Sequence, residues 1–371
     1  MKILFCTNSF QTITNGPAKF ANLLLSLNLQ EKDIDFRILT EDTDREQPKV
    51  YQIKHSIPSY MRKSGMFLRM FRYHKRAMEI YNSGFRFDVL IYNNAIISLR
   101  SALTFSNVIG FINDDNNASA KFFRDFFKPR WIKSNVFFFT EWLAGKLLNK
   151  VVVNSDYLLN TVTKAYHIKP SKVTRLYKAV EVPNSYHSRE NKIPVILFVK
   201  NDYKRGGLAT LAEAIKILKF KVKCIVAGTD TNEAPAIRKL FENPEIDFEL
   251  KGYQPQEMIY ELMYEADIFC VPSLKEALGV SNIEAMRLGC AVITTNAGGI
   301  PEVTDHGRCA FVSEPGNAND LALKIKTCIE NNSLRDQKIK EAHKFSEKFT
   351  VEQMFINFLS LIKEYAPAGN S

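Results

Sequence analysis

Two carboxylates, Glu276 and Glu284, stand at an E-x7-E spacing in the stretch VPSLKEALGVSNIEAMRLGCAVITTNAGGIPEV, residues 271–303. Glu276 falls in a loop, KEALG, that follows the apolar run ADIFCVPS. A helix is expected to open near Val280–Ser281, to carry Glu284 in its first turns, and to end at Gly289 as a C-cap. Unpaired N–H groups at such a helix start make a site for a phosphate. Carboxylates on either side of it suit hydrogen bonds to vicinal hydroxyls, one set on a sugar and one on a ribose. The spacing alone does not decide this, since a solvated loop acid and a helix acid favoured by the dipole would read the same.

A second group consists of cations. The segment LFVKNDYKRGGLATLAEA places Lys200, Lys204 and Arg205 ahead of Gly206 and Gly207, where a strand passes into a helix. Cations followed by glycines at such a turn suit a diphosphate, and which of the three binds it stays open. In the first half, Asn113, Asp114 and Asp115 follow the apolar run SNVIGFI. Acids at such a strand end serve an ordinary turn or N-cap.

These residues need a scaffold. Short apolar runs alternate with helical patterns nearly throughout, as in βαβ units around parallel sheets. KILFCT, FRILT, DVLIYN, SNVIGFI and KVVVNS read as strands of a first array, with a helix over Pro17–Leu27 just after Gly16. PVILFVK, KCIVAG, FELKG, ADIFCVPS, CAVITT and CAFVS read as strands of a second. The polar stretch between them lacks periodicity and holds prolines, so residues 183–193 are expected to form a linker. The division is therefore a first domain over 1–182, a second over 194–349, and a closing helix over 350–366. The fold class is α/β, with two Rossmann-like doubly wound domains facing a cleft at their strand ends.

The second of these stretches supports a resemblance. PSLKEALGVSNIEAMRLGCAVITTNAGGIPE resembles, position for position, the donor-site signature of the family 4 retaining glycosyltransferases of the GT-B fold. The likeness extends over nearly the whole chain. Lys200-Asn201 stands where the family has a Gly-Arg pair, and Lys204-Arg205-Gly206-Gly207 where it has Lys-Gly. LKGYQPQEM, from Leu250, resembles the strand end at which main-chain groups near Gly252 meet the nucleotide base. Gly16 is what remains of a Gly-Gly pair before the first helix, and Asn113-Asp114-Asp115 replaces a cleft histidine.

The resemblance implies transfer of a sugar from a nucleotide diphosphate donor with retention, in cell-surface polysaccharide or glycolipid assembly. Glu276, Lys204 and Arg205 would be catalytic. Lys200, Gly252, Leu278, Gly279, Val280, Ser281 and Glu284 would bind the donor, with Glu276 on its sugar and Glu284 on the ribose. Gly16, Asn113 and Asp114 would lie on the acceptor side. A UDP-sugar is expected ahead of GDP- or ADP-sugars, with no cofactor and no metal, because cations and helix N–H groups would stabilise the departing diphosphate. A sugar-nucleotide epimerase of the same architecture, or an inactive sugar-binding or scaffold protein, is the alternative.

Composition bounds the partners. The chain has 371 residues, 46% hydrophobic and 24% charged, ordinary for a folded protein of about two domains. Its six cysteines lack metal-ligand spacing, which suits free thiols in a reducing cytoplasm. MKILFCTNSF reads as a first strand rather than a signal peptide, and no run is long enough to span a bilayer. The net charge of +10 is uneven, with 27 Lys and Arg against 15 Asp and Glu in residues 1–182. Within that half, residues 54–76 hold seven Lys or Arg, no acid, and interleaved aromatics, and residues 121–133 repeat the theme. Such segments suit an anionic membrane surface, which would place the protein in the cytoplasm and peripherally on the inner face of the membrane. A solvated basic face with inward aromatics would look similar. No nucleic-acid motif accompanies them.

Overall fold

The computed structural model describes residues 1–11, 16–28, 33–44, 47–53, 65–118, 129–182, 191–218, 220–242 and 246–365. It divides into two compact units, residues 1–178 with 351–371, and residues 179–350.

The first unit runs β1 (Lys2–Thr7), α1 (Gly16–Asn28), β2 (Asp35–Thr40), β3 (Val50–Gln52), α2 (Met66–Asn82), β4 (Val89–Tyr92), α3 (Ala95–Ala102), β5 (Val108–Ile112), α4 (Pro129–Leu147), β6 (Lys150–Val153), α5 (Asp156–Tyr166) and β7 (Val173–Arg175). The second unit runs β8 (Val195–Val199), α6 (Leu208–Ile217), β9 (Lys223–Ala227), α7 (Ala234–Leu240), β10 (Asp247–Gly252), α8 (Gln256–Glu265), β11 (Ile268–Cys270), α9 (Val280–Arg287), β12 (Ala291–Thr295), α10 (Ile300–Val303), β13 (Phe311–Ser313), α11 (Ala318–Glu330) and α12 (Asn332–Ser346). The chain then enters α13 (Val351–Lys363), which belongs to the first unit.

Among the described residues, the first sheet has the order β3-β2-β1-β4-β5-β6-β7 and the second β10-β9-β8-β11-β12-β13. All ladders between named strands are parallel. Both orders are doubly wound, starting at a central strand and reversing direction once, between β1 and β4 and between β8 and β11. Such sheets are covered on both faces, so their strands read as continuous apolar runs. The central residues of β8, Ile196, Leu197 and Phe198, have no exposed area. β3 and β7, the outer strands of the first sheet, have no counterpart in the sequence reading. Each is three residues long, and VYQ and VTR belong to no continuous apolar run.

Aromatic packing sets the core of the first unit. The Phe5 ring lies 6.0 Å from Phe20 and 5.8 Å from Phe36, and Phe358 of α13 meets Phe36 edge-on at 6.4 Å. Met354, Phe358, Leu361 and Ile362 form the buried face of α13 at the spacing of an amphipathic helix. Ala179–Val182, assigned by sequence to the first domain, lie in the second unit. There the Val180 N–H donates to the Phe349 carbonyl at 3.0 Å, and the Glu181 carbonyl accepts from the Tyr260 hydroxyl at 2.9 Å. Of the expected linker, residues 183–190 lie outside the described residues.

Candidate functional site

The reversal of strand order between β8 and β11 leaves a crevice at the carboxyl ends of those strands, where open α/β sheets bind ligands. Two loops leave the sheet there. The β8–α6 loop carries Lys200, Lys204 and Arg205, and the β11–α9 loop carries Glu276 and Gly279. Sequence positions 76 apart are thereby joined: Lys200 Nζ donates to Glu276 Oε2 in an ion pair whose side chains are 24% and 17% exposed. Glu276 Oε1 accepts the Ala277 N–H at 3.1 Å, so the carboxylate is held at both oxygens.

Glycines allow these loops to approach so closely. A Cβ on Gly207 would stand 2.0 Å from the Pro272 carbonyl oxygen, and one on Gly298 would stand 1.8 Å from that of Glu276. Both also have positive φ, +77° and +57°, which side chains rarely adopt. Main-chain bonds complete the clamp: the Leu274 N–H donates to Arg205 O at 2.8 Å, and the Gly299 N–H to Glu276 O at 3.2 Å. The loop after β12, which carries Gly298 and Gly299, thus fixes the backbone of Glu276. In the sequence those glycines fall inside the signature, where nothing local marks their role.

α9 begins at Val280, with Gly279 as its N-cap in the left-handed region at φ +93°. No side chain caps it. Its first N–H groups have no partner within the helix and carry the positive end of the dipole. Lys200, paired with Glu276, stands near it, and Lys204 and Arg205 belong to the neighbouring loop. Lys204 is exposed with its Nζ 5.5 Å from the Tyr203 ring centre, and the Arg205 main-chain N–H is pinned by Asp202 Oδ1 at 3.0 Å. The structure brings Lys200, Glu276, Leu278, Gly279, Val280 and Ser281 to one end of the sheet. The helix ends at Leu288 as C-cap, with the expected Gly289 one residue beyond at φ +85°.

Glu284 meets α8. Its Oε1 accepts from Gln256 Nε2 at 3.2 Å and from the Tyr260 hydroxyl at 3.3 Å. Burial, with the Glu284 carboxylate beside it, pushes the Tyr260 hydroxyl well above the usual phenol range, so it remains a proton donor. Sequence reasoning missed Gln256 and Tyr260. Their one-turn spacing on an amphipathic helix was the available signal. Gly252 lies farther out, at the end of the edge strand β10, with φ +66° and its carbonyl accepting the Gly228 N–H at 2.7 Å.

In the first unit, Gly16 opens α1. Asn113 lies just beyond β5, where its Nδ2 bonds Asn93 O at 3.0 Å. Asp114 is exposed, and its Oδ1 accepts the Asn116 N–H at 2.9 Å, an Asx turn. Asp115 is buried and accepts from the Tyr157 hydroxyl at 2.8 Å. Of the basic aromatic segments, residues 54–64 and 121–128 lie outside the described residues. The rest falls on α2 and α4. Met70 and Tyr73 of α2 point inward, while Leu68 and Phe71 are exposed. Along α4, Val136, Phe139, Leu143 and Leu147 form an exposed apolar stripe at helical spacing. No helix of the described residues is long and apolar enough to cross a membrane.

Residues 184–345, nearly all of the second unit, match the family model described as glycosyl transferases group 1. Over 98% of both chains, the protein is 24% identical to an uncharacterized glycosyltransferase of Methanocaldococcus jannaschii. It is also 24% identical to the capsular polysaccharide biosynthesis glycosyltransferase CapM of Staphylococcus aureus, over 91% of this chain and 92% of that one. Its fold is similar to that of Anabaena HepE, solved in complex with UDP and glucose, with a TM-score of 0.71 over 98% of this chain and 99% of that one at 17% identity. A switch-point site of this build thus lies inside the segment that matches the group 1 glycosyltransferases, on two doubly wound sheets similar to those of solved GT-B glycosyltransferases.

Proposed function

We propose that the protein is a retaining, metal-independent glycosyltransferase that moves a sugar from a UDP-sugar to a glycan or lipid-linked acceptor in cell-surface polysaccharide or glycolipid assembly. The observation that carries this reading is the Lys200–Glu276 pair beside the uncapped start of α9. A nucleotide sugar presents both a diphosphate and hydroxyls, and the pair offers one partner to each. When the donor enters, Lys200 turns to the diphosphate with Lys204 or Arg205, and the α9 N–H groups complete the anion cradle. Glu276 is then released to a hydroxyl of the transferred sugar. Glu284, steadied by Tyr260 and Gln256, takes the ribose.

The chemical step breaks the bond between the anomeric carbon and the diphosphate oxygen. It forms a bond from the acceptor oxygen to the same face of that carbon. The acceptor proton passes to the departing phosphate oxygen. No carboxylate nucleophile is required, because charge develops on the diphosphate, where fixed cations and N–H dipoles stabilise it without reorganising. HepE, crystallised with UDP and glucose, supports uracil as the base. CapM, named for capsular polysaccharide biosynthesis, supports a surface glycan as the product.

Residence on the inner face of the membrane is part of the same proposal. It is supported by the charge excess of residues 1–182 and by the outward apolar stripe of α4. Vesicle co-sedimentation is then expected to require anionic lipid and to weaken with salt. Undiminished binding to neutral vesicles at high salt would refute it.

Melting the protein with UDP, GDP and ADP tests the donor half. UDP at about 100 times its dissociation constant should stabilise by about 2.7 kcal/mol, and slow hydrolysis of one UDP-sugar should accompany it. No shift with any of the three nucleotides would overturn the reading.

A further inference from the structure

In the first unit, three adjacent strands end in the same side chain. β4, β5 and β6 are followed by Asn93, Asn113 and Asn154. Asn113 Nδ2 donates to Asn93 O at 3.0 Å and to Asn93 Oδ1 at 3.3 Å. Asn154 Nδ2 donates to Asn113 O at 3.1 Å. Each bond decides which way a carboxamide faces. With Oδ1 of Asn93 and Nδ2 of Asn154 engaged, the other ends of these two groups remain. Asn93 Nδ2 and Asn154 Oδ1 are buried and have no hydrogen-bond partner, in residues only 6% exposed. Both residues border one recess, which Phe20, Phe111 and Lys178 also line.

A buried donor and a buried acceptor left unmade are costly, and such groups are met by a ligand or by ordered water. The chemistry of the occupant follows from the pair. It must accept a hydrogen from Asn93 and donate one to Asn154. A carboxylate or phosphate oxygen has nothing to donate, and an ammonium group cannot accept. A hydroxyl does both. The recess sits at the carboxyl ends of parallel strands, where this architecture binds ligands, and its room is that of a single hydroxyl or water.

We propose that this carboxamide ladder docks an uncharged hydroxyl of the acceptor, so that the acceptor enters as a neutral sugar ring rather than through an anionic group. The inference rests on the transferase reading and deepens it by naming the acceptor chemistry.

The test uses the whole chain and the methyl glycosides of glucose, galactose, mannose and N-acetylglucosamine, followed by saturation-transfer NMR. Asn93→Asp is nearly isosteric, keeps an oxygen for Asn113 and exchanges the free N–H for a carboxylate oxygen, charged when ionised, that cannot donate. Asn154→Leu removes the free acceptor. The expected result is binding of at least one glycoside, weakened tenfold or more in each folded variant, while the melting shift with UDP is unchanged. Should Asn93→Asp fail to fold, Asn154→Leu carries the comparison. Equal glycoside affinity in a folded variant overturns the ladder. So does a UDP shift without any glycoside signal, which would make the recess a water site. Glycoside binding that depends on the ladder, with no shift from any nucleotide, would sink the transferase reading and leave the ladder standing.

Discussion

Gly298→Ala tests whether Glu276 is placed by the loop after β12. The new Cβ would lie 1.8 Å from the Glu276 carbonyl oxygen, against the 3.0 Å below which real Cβ contacts essentially never fall. The two backbones must therefore separate by about 1.2 Å, because neither is a flexible side-chain end. A side chain at φ +57° adds about 1–2 kcal/mol of left-handed strain, and weakening the Gly299 N–H bond to Glu276 about 1 more. The variant should lose about 2–3 kcal/mol and melt about 5–10 °C lower. Misplacing a reacting constellation by roughly 1 Å costs on the order of 100-fold in rate, so turnover of the UDP-sugar should fall by about that factor. Gly316→Ala is the control. It sits in the same unit at φ +79°, with its nearest neighbour, Leu274 Cδ2, at 3.8 Å, so it carries the strain without the displacement. Denaturant unfolding and donor turnover are measured on both. Near-normal turnover in Gly298→Ala, or an equal loss in Gly316→Ala, would refute the reasoning.

Three further outcomes are expected. A double-mutant cycle of Lys200→Met and Glu276→Gln should show a coupling of about 1 kcal/mol in unfolding free energy that shrinks under saturating UDP; an unchanged coupling would mean that Lys200 never leaves the carboxylate. Burial pushes the Glu141 carboxyl up to about 7, against the hydrogen bonds from Tyr166 and Asn117 that favour its charged form. The folded state therefore binds the extra proton between pH 4.5 and 7, and stability should fall as pH rises through that window and level off above it; Glu141→Gln should flatten this slope in pH-dependent denaturant melts. All six cysteines are buried free thiols, and burial raises the thiol of Cys290 to about 12 and that of Cys309 to about 11. Native protein should resist Ellman's reagent and release six equivalents only after unfolding, whereas rapid native labelling would contradict the packing.

Most sheet strands were legible from apolar runs. All six strands of the second sheet, and β1, β2, β4, β5 and β6 of the first, coincide with runs recognised in the sequence; most are buried on both faces and leave an unbroken apolar record, whereas the half-exposed edge strand β10 was read from FELKG, which alternates apolar and charged residues. The edge strands β3 and β7 left none. The helices α7, α8, α11 and α12 were not singled out, and with α8 the support of Glu284 by Gln256 and Tyr260 was invisible. The asparagine ladder could have been noticed, since each of three successive apolar runs ends in Asn. Only sheet order reveals that those ends are neighbours.

The sequence by itself determined the local devices: an uncapped helix start after Gly279, cations before a glycine pair, and two acids near that helix. Local backbone geometry and helical or strand period are written within a few residues, so they survive in a linear reading. The tertiary structure decided which of these devices meet. The pairing of Lys200 with Glu276, the grip of Gly298 on the Glu276 backbone and the alignment of Asn93, Asn113 and Asn154 all depend on sheet order and crossover, which bring distant strand ends side by side.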